Sequence, residues 1–188
     1  MIRLGLCCLF YRENIHFRTV TAAKLSRLDR AEAGKLLSEI CLQNAGSLFH
    51  ALRYCAEHGI GDFRISSDLL PLSTHPVYGY SPADLPSGRK IRQALNECGE
   101  YARSGNIRTT MHPDQFVVLN SPRREVVESS RRELLHHARL AGITGVDVIT
   151  IHGGGGYGDK ISALARLAAE ILRLPGTVRQ YLALENDD

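Results

Sequence analysis

Three side chains able to bind a divalent cation stand at the ends of short apolar runs: His112 after residues 107–111, His152 after 146–151 and Glu185 after 181–184. Two neutral imidazoles and one carboxylate form a donor set suited to Zn²⁺ or Mn²⁺. A carboxylate can also bridge two ions, the arrangement that clamps the attacking and departing oxygens in phosphodiester hydrolysis. Read alone, each of the three is a polar residue capping a strand. The same placement at three successive strand ends is what points to a shared cation.

Further chemistry follows the same rule of position. His75, within Ser73-Thr74-His75-Pro76, is able to protonate a leaving oxygen or hold a phosphate. Gln115 and Phe116 follow His112 in one loop and join an amide to an aromatic face, the combination that stacks on a base and bonds its edge. Residues 153–160, GGGGYGDK, do not form a nucleotide phosphate loop, because Asp159 stands where lysine should follow the last glycine. They read as a flexible strand-to-helix loop whose helix start, with Lys160, favours an anion. His136 and His137 fall within a helical stretch and are expected to pack or face solvent.

These positions depend on the elements that carry them. Apolar runs at 2–6, 62–65, 107–111, 146–151 and 181–184 read as strands. Between them Leu37, Ile40, Leu48, Leu52 and Cys55 recur at helical spacing, and Gly59 supplies a stop after His58. Further helices are expected over 87–103, from Ser121-Pro122 to Gly142, and over about 160–174 before Pro175-Gly176. Strand and helix alternating in this way give a parallel sheet. The glycine fingerprint of a dinucleotide fold is missing after the first strand. Polar residues at strand ends fit a (β/α)8 TIM barrel, which needs about 250 residues. The chain has 188, so the expectation is a barrel truncated after about five β/α units, a single domain over 1–188 without its C-terminal strands.

Composition sets broad limits. With 44% hydrophobic residues the chain can bury one sizeable core, and a formal charge of +3 permits contact with a polyanion without requiring it. Five cysteines, Cys7, Cys8, Cys41, Cys55 and Cys98, form no CxxC pair and read as reduced thiols. No leader and no apolar run long enough to span a bilayer is evident, so a soluble cytoplasmic protein is expected.

At these residues the sequence resembles the UV-damage endonuclease family of the UvdE/UvsE type, over the N-terminal two thirds of such an enzyme. The resemblance begins at Ile2-Arg3-Leu4-Gly5 and runs through Phe63-Arg64-Ile65-Ser66-Ser67 and Leu70-Pro71-Leu72-Ser73-Thr74-His75-Pro76. It continues through Met111-His112-Pro113-Asp114-Gln115-Phe116-Val117-Val118-Leu119-Asn120-Ser121, Ile151-His152-Gly153-Gly154 and Ala183-Leu184-Glu185-Asn186-Asp187. It implies a TIM barrel holding a cluster of divalent ions, usually manganese, with Zn²⁺ or Mg²⁺ as alternatives. It implies nicking of double-stranded DNA 5′ of cyclobutane dimers and 6-4 products, leaving a 3′ hydroxyl and a 5′ phosphate.

By the same resemblance His112 and His152 would hold one ion, Glu185 would bridge two, and His75 would lie near the scissile phosphate. Gln115 and Phe116 would enter the duplex at the lesion. Lys160, from its place beside the strand-end loops rather than from the resemblance, is expected where phosphates pass. Asp114, Phe116 and Leu6 depart from the glycine, tyrosine and tyrosine common at those places. The family's remaining ligands are expected on strands beyond Asp188, so the chain alone is expected to be inactive or nearly so. A monomer associated with the nucleoid, with no obligate protein partner, completes the expectation. Two alternatives remain open: a related abasic-site endonuclease or sugar isomerase or epimerase, and a non-catalytic DNA-binding remnant.

Overall fold

The structure, a computed structural model, describes residues 2–185; Asn186 and Asp187 of the last motif lie outside the described residues. Five strands, β1 (Gly5–Leu6), β2 (Asp62–Ile65), β3 (Arg108–Met111), β4 (Val148–His152) and β5 (Leu182–Glu185), form one sheet in the order 1-2-3-4-5. Every neighbouring pair is parallel. The connections contain α1 (Ala22–Leu25), α2 (Arg30–Glu57), α3 (Gly88–Ser104), α4 (Arg124–Thr144), α5 (Lys160–Arg173) and α6 (Gly176–Arg179). Sequential, parallel strands joined by helices are consecutive units of a TIM-barrel-like α/β fold.

Local chemistry explains the boundaries. Asp29 opens α2 with a reciprocal cap: its carboxylate accepts from the Glu32 amide at 2.8 Å and the Glu32 carboxylate accepts from the Asp29 amide at 3.0 Å. The start of α4 differs from the sequence expectation. Ser121 spends its hydroxyl on the Arg123 amide at 3.2 Å, closing a turn before the helix, and α4 begins three residues later, at Arg124. It also runs past Gly142, because Gly145, at φ +69°, is the residue that adopts the left-handed cap.

Period-two alternation then sorts the strand residues between two faces. Phe63, Ile65, Thr109, Met111, Ile149 and Ile151 are buried. They turn toward the helix layer, where Leu48, Leu52, Ile91, Leu95, Leu134 and Leu167 belong to the same core. Each large apolar side chain buried there contributes about 1.5–3 kcal/mol. Arg64, Thr110, Thr150 and Ala183 take the other face, which stays open or half-buried. That second face carries the chemistry.

The cysteines carry no disulfide among the described residues. Burial pushes the thiols of Cys41 and Cys55 up to about 11 and that of Cys98 to about 12, so they stay protonated packing groups. No helix is long and apolar enough to cross a membrane.

Candidate functional site

Strand register assembles the cation donors. Arg64 pairs with Thr110, Thr110 with Val148, and Thr150 with Ala183, so these residues share the open face. Counting two onward gives His112 just past β3, His152 at the end of β4 and Glu185 at the end of β5. His152 and Glu185 are themselves register partners. Three neighbouring strands therefore present their terminal side chains to one point. The sequence expectation put His152 and Glu185 just beyond their strands; both are the last residue within them.

The distances are short. His112 Nε2 lies 2.8 Å from Glu185 Oε2, His152 Nδ1 lies 3.9 Å from the same oxygen, and the two imidazole centroids are 4.8 Å apart. One donor atom from each of the three falls within 4.8 Å of the others, and they form the one such group among the described residues. An ion with bonds of about 2.1 Å spans at most about 4.2 Å between ligands. Side-chain rotation of less than an ångström lets all three share it.

Hydrogen bonds orient the donors. His112 Nδ1 stands 3.0 Å from the Pro113 carbonyl oxygen, an acceptor that needs an N–H. That contact turns Nε2 toward the Glu185 carboxylate. Nε2 lies 2.8 Å from the carboxylate, and a backbone contact of Nδ1 is the usual way a ligating imidazole is oriented. The donor set fits a divalent ion.

The loop after β4 is held more firmly than its glycines suggested. Asn120, 2% exposed, donates from Nδ2 to the Gly155 carbonyl at 3.0 Å, and its own carbonyl accepts from Arg166 Nε at 2.9 Å. Gly154 adopts φ +80°, and a Cβ there would come within 2.2 Å of Asn120 Oδ1. Only glycine fits. Asp159 caps α5 by accepting from the Ser162 amide at 3.1 Å, and Lys160, exposed at the first helical position, lines a cleft with Gly153–Gly156 and Glu185. Asn120 had no assignment from sequence, since an asparagine before Ser-Pro reads as a turn former. Its burial is set by tertiary packing.

The remaining candidates occupy separate places. Gln115 and Phe116 are exposed, Phe116 by 75%. Asp114 shapes the turn that presents them: its carboxylate accepts from the Phe116 amide at 3.1 Å and its carbonyl from the Val117 amide at 2.9 Å. The residue standing where glycine is common is thus a turn former in its own right. His75 does not belong to the three-donor group. Its Nδ1 accepts from the Val77 and Tyr78 amides at 3.1 and 3.2 Å, which leaves the ring proton on Nε2 as a donor. His137 is buried, and His136 faces a cavity beside Ser73.

With this geometry in hand, comparisons with known proteins agree with one another. The family model described as UV-endonuclease UvdE matches residues 2–188. A UV DNA damage endonuclease of Deinococcus radiodurans is 38% identical, the match covering 99% of this chain and 60% of that one. One from Bacillus velezensis is 34% identical over 91% of this chain and 53% of its own. The crystal structure of SacUVDE superposes with a TM-score of 0.87 at 32% identity, covering all of this chain and 62% of the other. The chain thus spans a little over half the length of these curated relatives, less than the two thirds expected from sequence.

Proposed function

The chain belongs to the UV-endonuclease UvdE family, and from that premise we propose that the protein nicks double-stranded DNA 5′ of UV photoproducts, both cyclobutane dimers and 6-4 products. The products are a 3′ hydroxyl and a 5′ phosphate. The observation that carries this reading is the meeting of His112, His152 and Glu185 on one face of three adjacent strands. His112 and His152 would hold a divalent ion, manganese in this reading, and Glu185 would be a further ligand able to bridge to a second. A cation bound there supplies the charge that makes water acidic enough to attack a phosphodiester near neutral pH and that offsets charge on the departing 3′ oxygen.

The chain's own residues do the rest. The Pro113 carbonyl orients the His112 ring, so its other nitrogen already faces the Glu185 carboxylate. His75, with Nδ1 committed to two backbone amides, offers Nε2–H to a phosphate oxygen or to the leaving oxygen. Phe116 and Gln115 enter the duplex where damaged bases stack poorly and are cheapest to displace. Lys160, at the start of α5, contacts the DNA backbone. Specificity then comes from weakened, bendable DNA rather than from a base sequence.

Exposure of the aromatic and amide pair favours DNA over a small sugar, whose enclosed pocket has no use for it. The protein acts as a cytoplasmic, nucleoid-associated monomer without an obligate protein partner. The three donors come from one chain, which agrees with that reading. The test is incubation of the protein with UV-irradiated and undamaged duplexes, with Mn²⁺ or with chelator. Mn²⁺-dependent nicking confined to irradiated DNA is expected. Equal cleavage of undamaged duplex, or of an abasic duplex alone, would refute the proposal.

A further inference from the structure

Away from the metal donors, a cavity of about 780 Å³ opens between α3, α4 and the segment 70–84. Its charge is one-sided: Arg92 of α3 and Arg132 and Arg139 of α4 line it against a single carboxylate, Asp84. That carboxylate is already engaged, accepting from the Ser81 amide at 2.8 Å. Arg132 and Arg139 are seven residues apart, so they share one face of α4 about 10 Å apart along its axis.

Several other arginines on or next to α4 and α5 are neutralised. Arg123 pairs with Glu125, Arg124 with Glu128, and Arg131 and Arg173 with Glu170. Arg92, Arg132 and Arg139 take part in no ion pair among the described residues. Unpaired guanidinium groups converging on a cavity leave it strongly positive, and their planar forks match phosphate oxygens. The size lies within the usual range for small-ligand sites, about 300–1,000 Å³. The wall also supplies a polar anchor, Ser73 Oγ, 3.1 Å from Nε2 of His136.

We propose that this cavity is a second binding site, separate from the cation donors, for a phosphate-bearing anion. The anion bridges the guanidinium groups of α3 and α4 and lies against the segment that includes His75. Two sources supply that chemistry: the backbone of a DNA strand continuing past the nicking site, and a free phosphorylated small molecule.

Inorganic pyrophosphate, titrated by calorimetry into metal-free protein, is the probe. A single saturable site is expected. Affinity should fall at least tenfold in Arg132→Ala/Arg139→Ala and in Arg92→Ala, and should be retained in Glu185→Ala. All three arginines are exposed, so unchanged melting temperatures should confirm folding. Salt titration of duplex binding separates the sources. A slope shallower by about 0.9 per lost contact in the double variant assigns the site to DNA backbone. An unchanged slope with lost pyrophosphate binding assigns it to a free ligand. No saturable binding, or undiminished pyrophosphate affinity in the arginine variants, would overturn the site whatever the salt slope.

Discussion

His152 and Glu185 are register partners on β4 and β5, and that pairing sets an imidazole beside a carboxylate where a strand-end donor set can close. Their separation of 3.9 Å follows from adjacent strands about 4.8 Å apart carrying side chains on the same face. His112 completes the set from the other side at 2.8 Å. The site is therefore a product of sheet register. Any change that slips a strand by one residue sends a donor to the helix-packed face.

Cation binding should stabilise the fold by mass action, about 2.7 kcal/mol at a hundredfold excess over the dissociation constant. A Mn²⁺-dependent rise in melting temperature is expected. His112→Ala, His152→Ala and Glu185→Ala should each abolish most of it. A full shift in any of them removes that residue from the donor set.

Phe116→Ala should leave thermal stability unchanged, because the ring is 75% exposed. Loss of one base-stacking contact should weaken binding to irradiated duplex by about 1–3 kcal/mol. Fluorescence anisotropy on irradiated and undamaged duplexes checks this; equal affinities for wild type and variant exclude insertion at the lesion.

Gly154→Ala must place a methyl group onto Asn120 Oδ1 in a backbone conformation of φ +80°. A cost of about 1–3 kcal/mol is expected, with weaker cation affinity because the loop begins directly after His152. Gly156→Ala meets nothing closer than 3.9 Å and should be tolerated. Parallel denaturant melts and Mn²⁺ titrations compare the two.

Burial, with help from the charges of His137 and Arg139, lowers the pKa of His136 from its ordinary 6.5 to about 4. The unfolded chain therefore binds a proton that the folded chain refuses. Stability is full above about pH 6.5 and is lost as pH falls toward 4, by on the order of 2–3 kcal/mol. His136→Gln should flatten that part of the stability-against-pH curve. An unaltered slope would show that other groups govern it.

Much of this architecture is legible in the sequence, because each strand is a short apolar run and each donor follows one. The triad of His112, His152 and Glu185, the parallel order and the exposed Gln115-Phe116 pair all emerge from that pattern and from the family resemblance. What the pattern misses depends on tertiary contact. Ser121-Pro122 looks like a helix start, yet Ser121 closes a turn and α4 waits until Arg124. Asn120 looks like a loop residue, yet it is buried beneath the glycines it restrains. Arg132 and Arg139 look like a solvated helix face; only the packing of α3 and the segment 70–84 across them makes a cavity.

The most direct test is anomalous diffraction at the manganese edge from crystals grown with Mn²⁺. A peak within about 2.0–2.3 Å of an imidazole nitrogen of His112, one of His152 and a carboxylate oxygen of Glu185 is expected. Manganese bound at another place, with these three side chains contacting only each other, would contradict the metal centre and the hydrolytic reading with it.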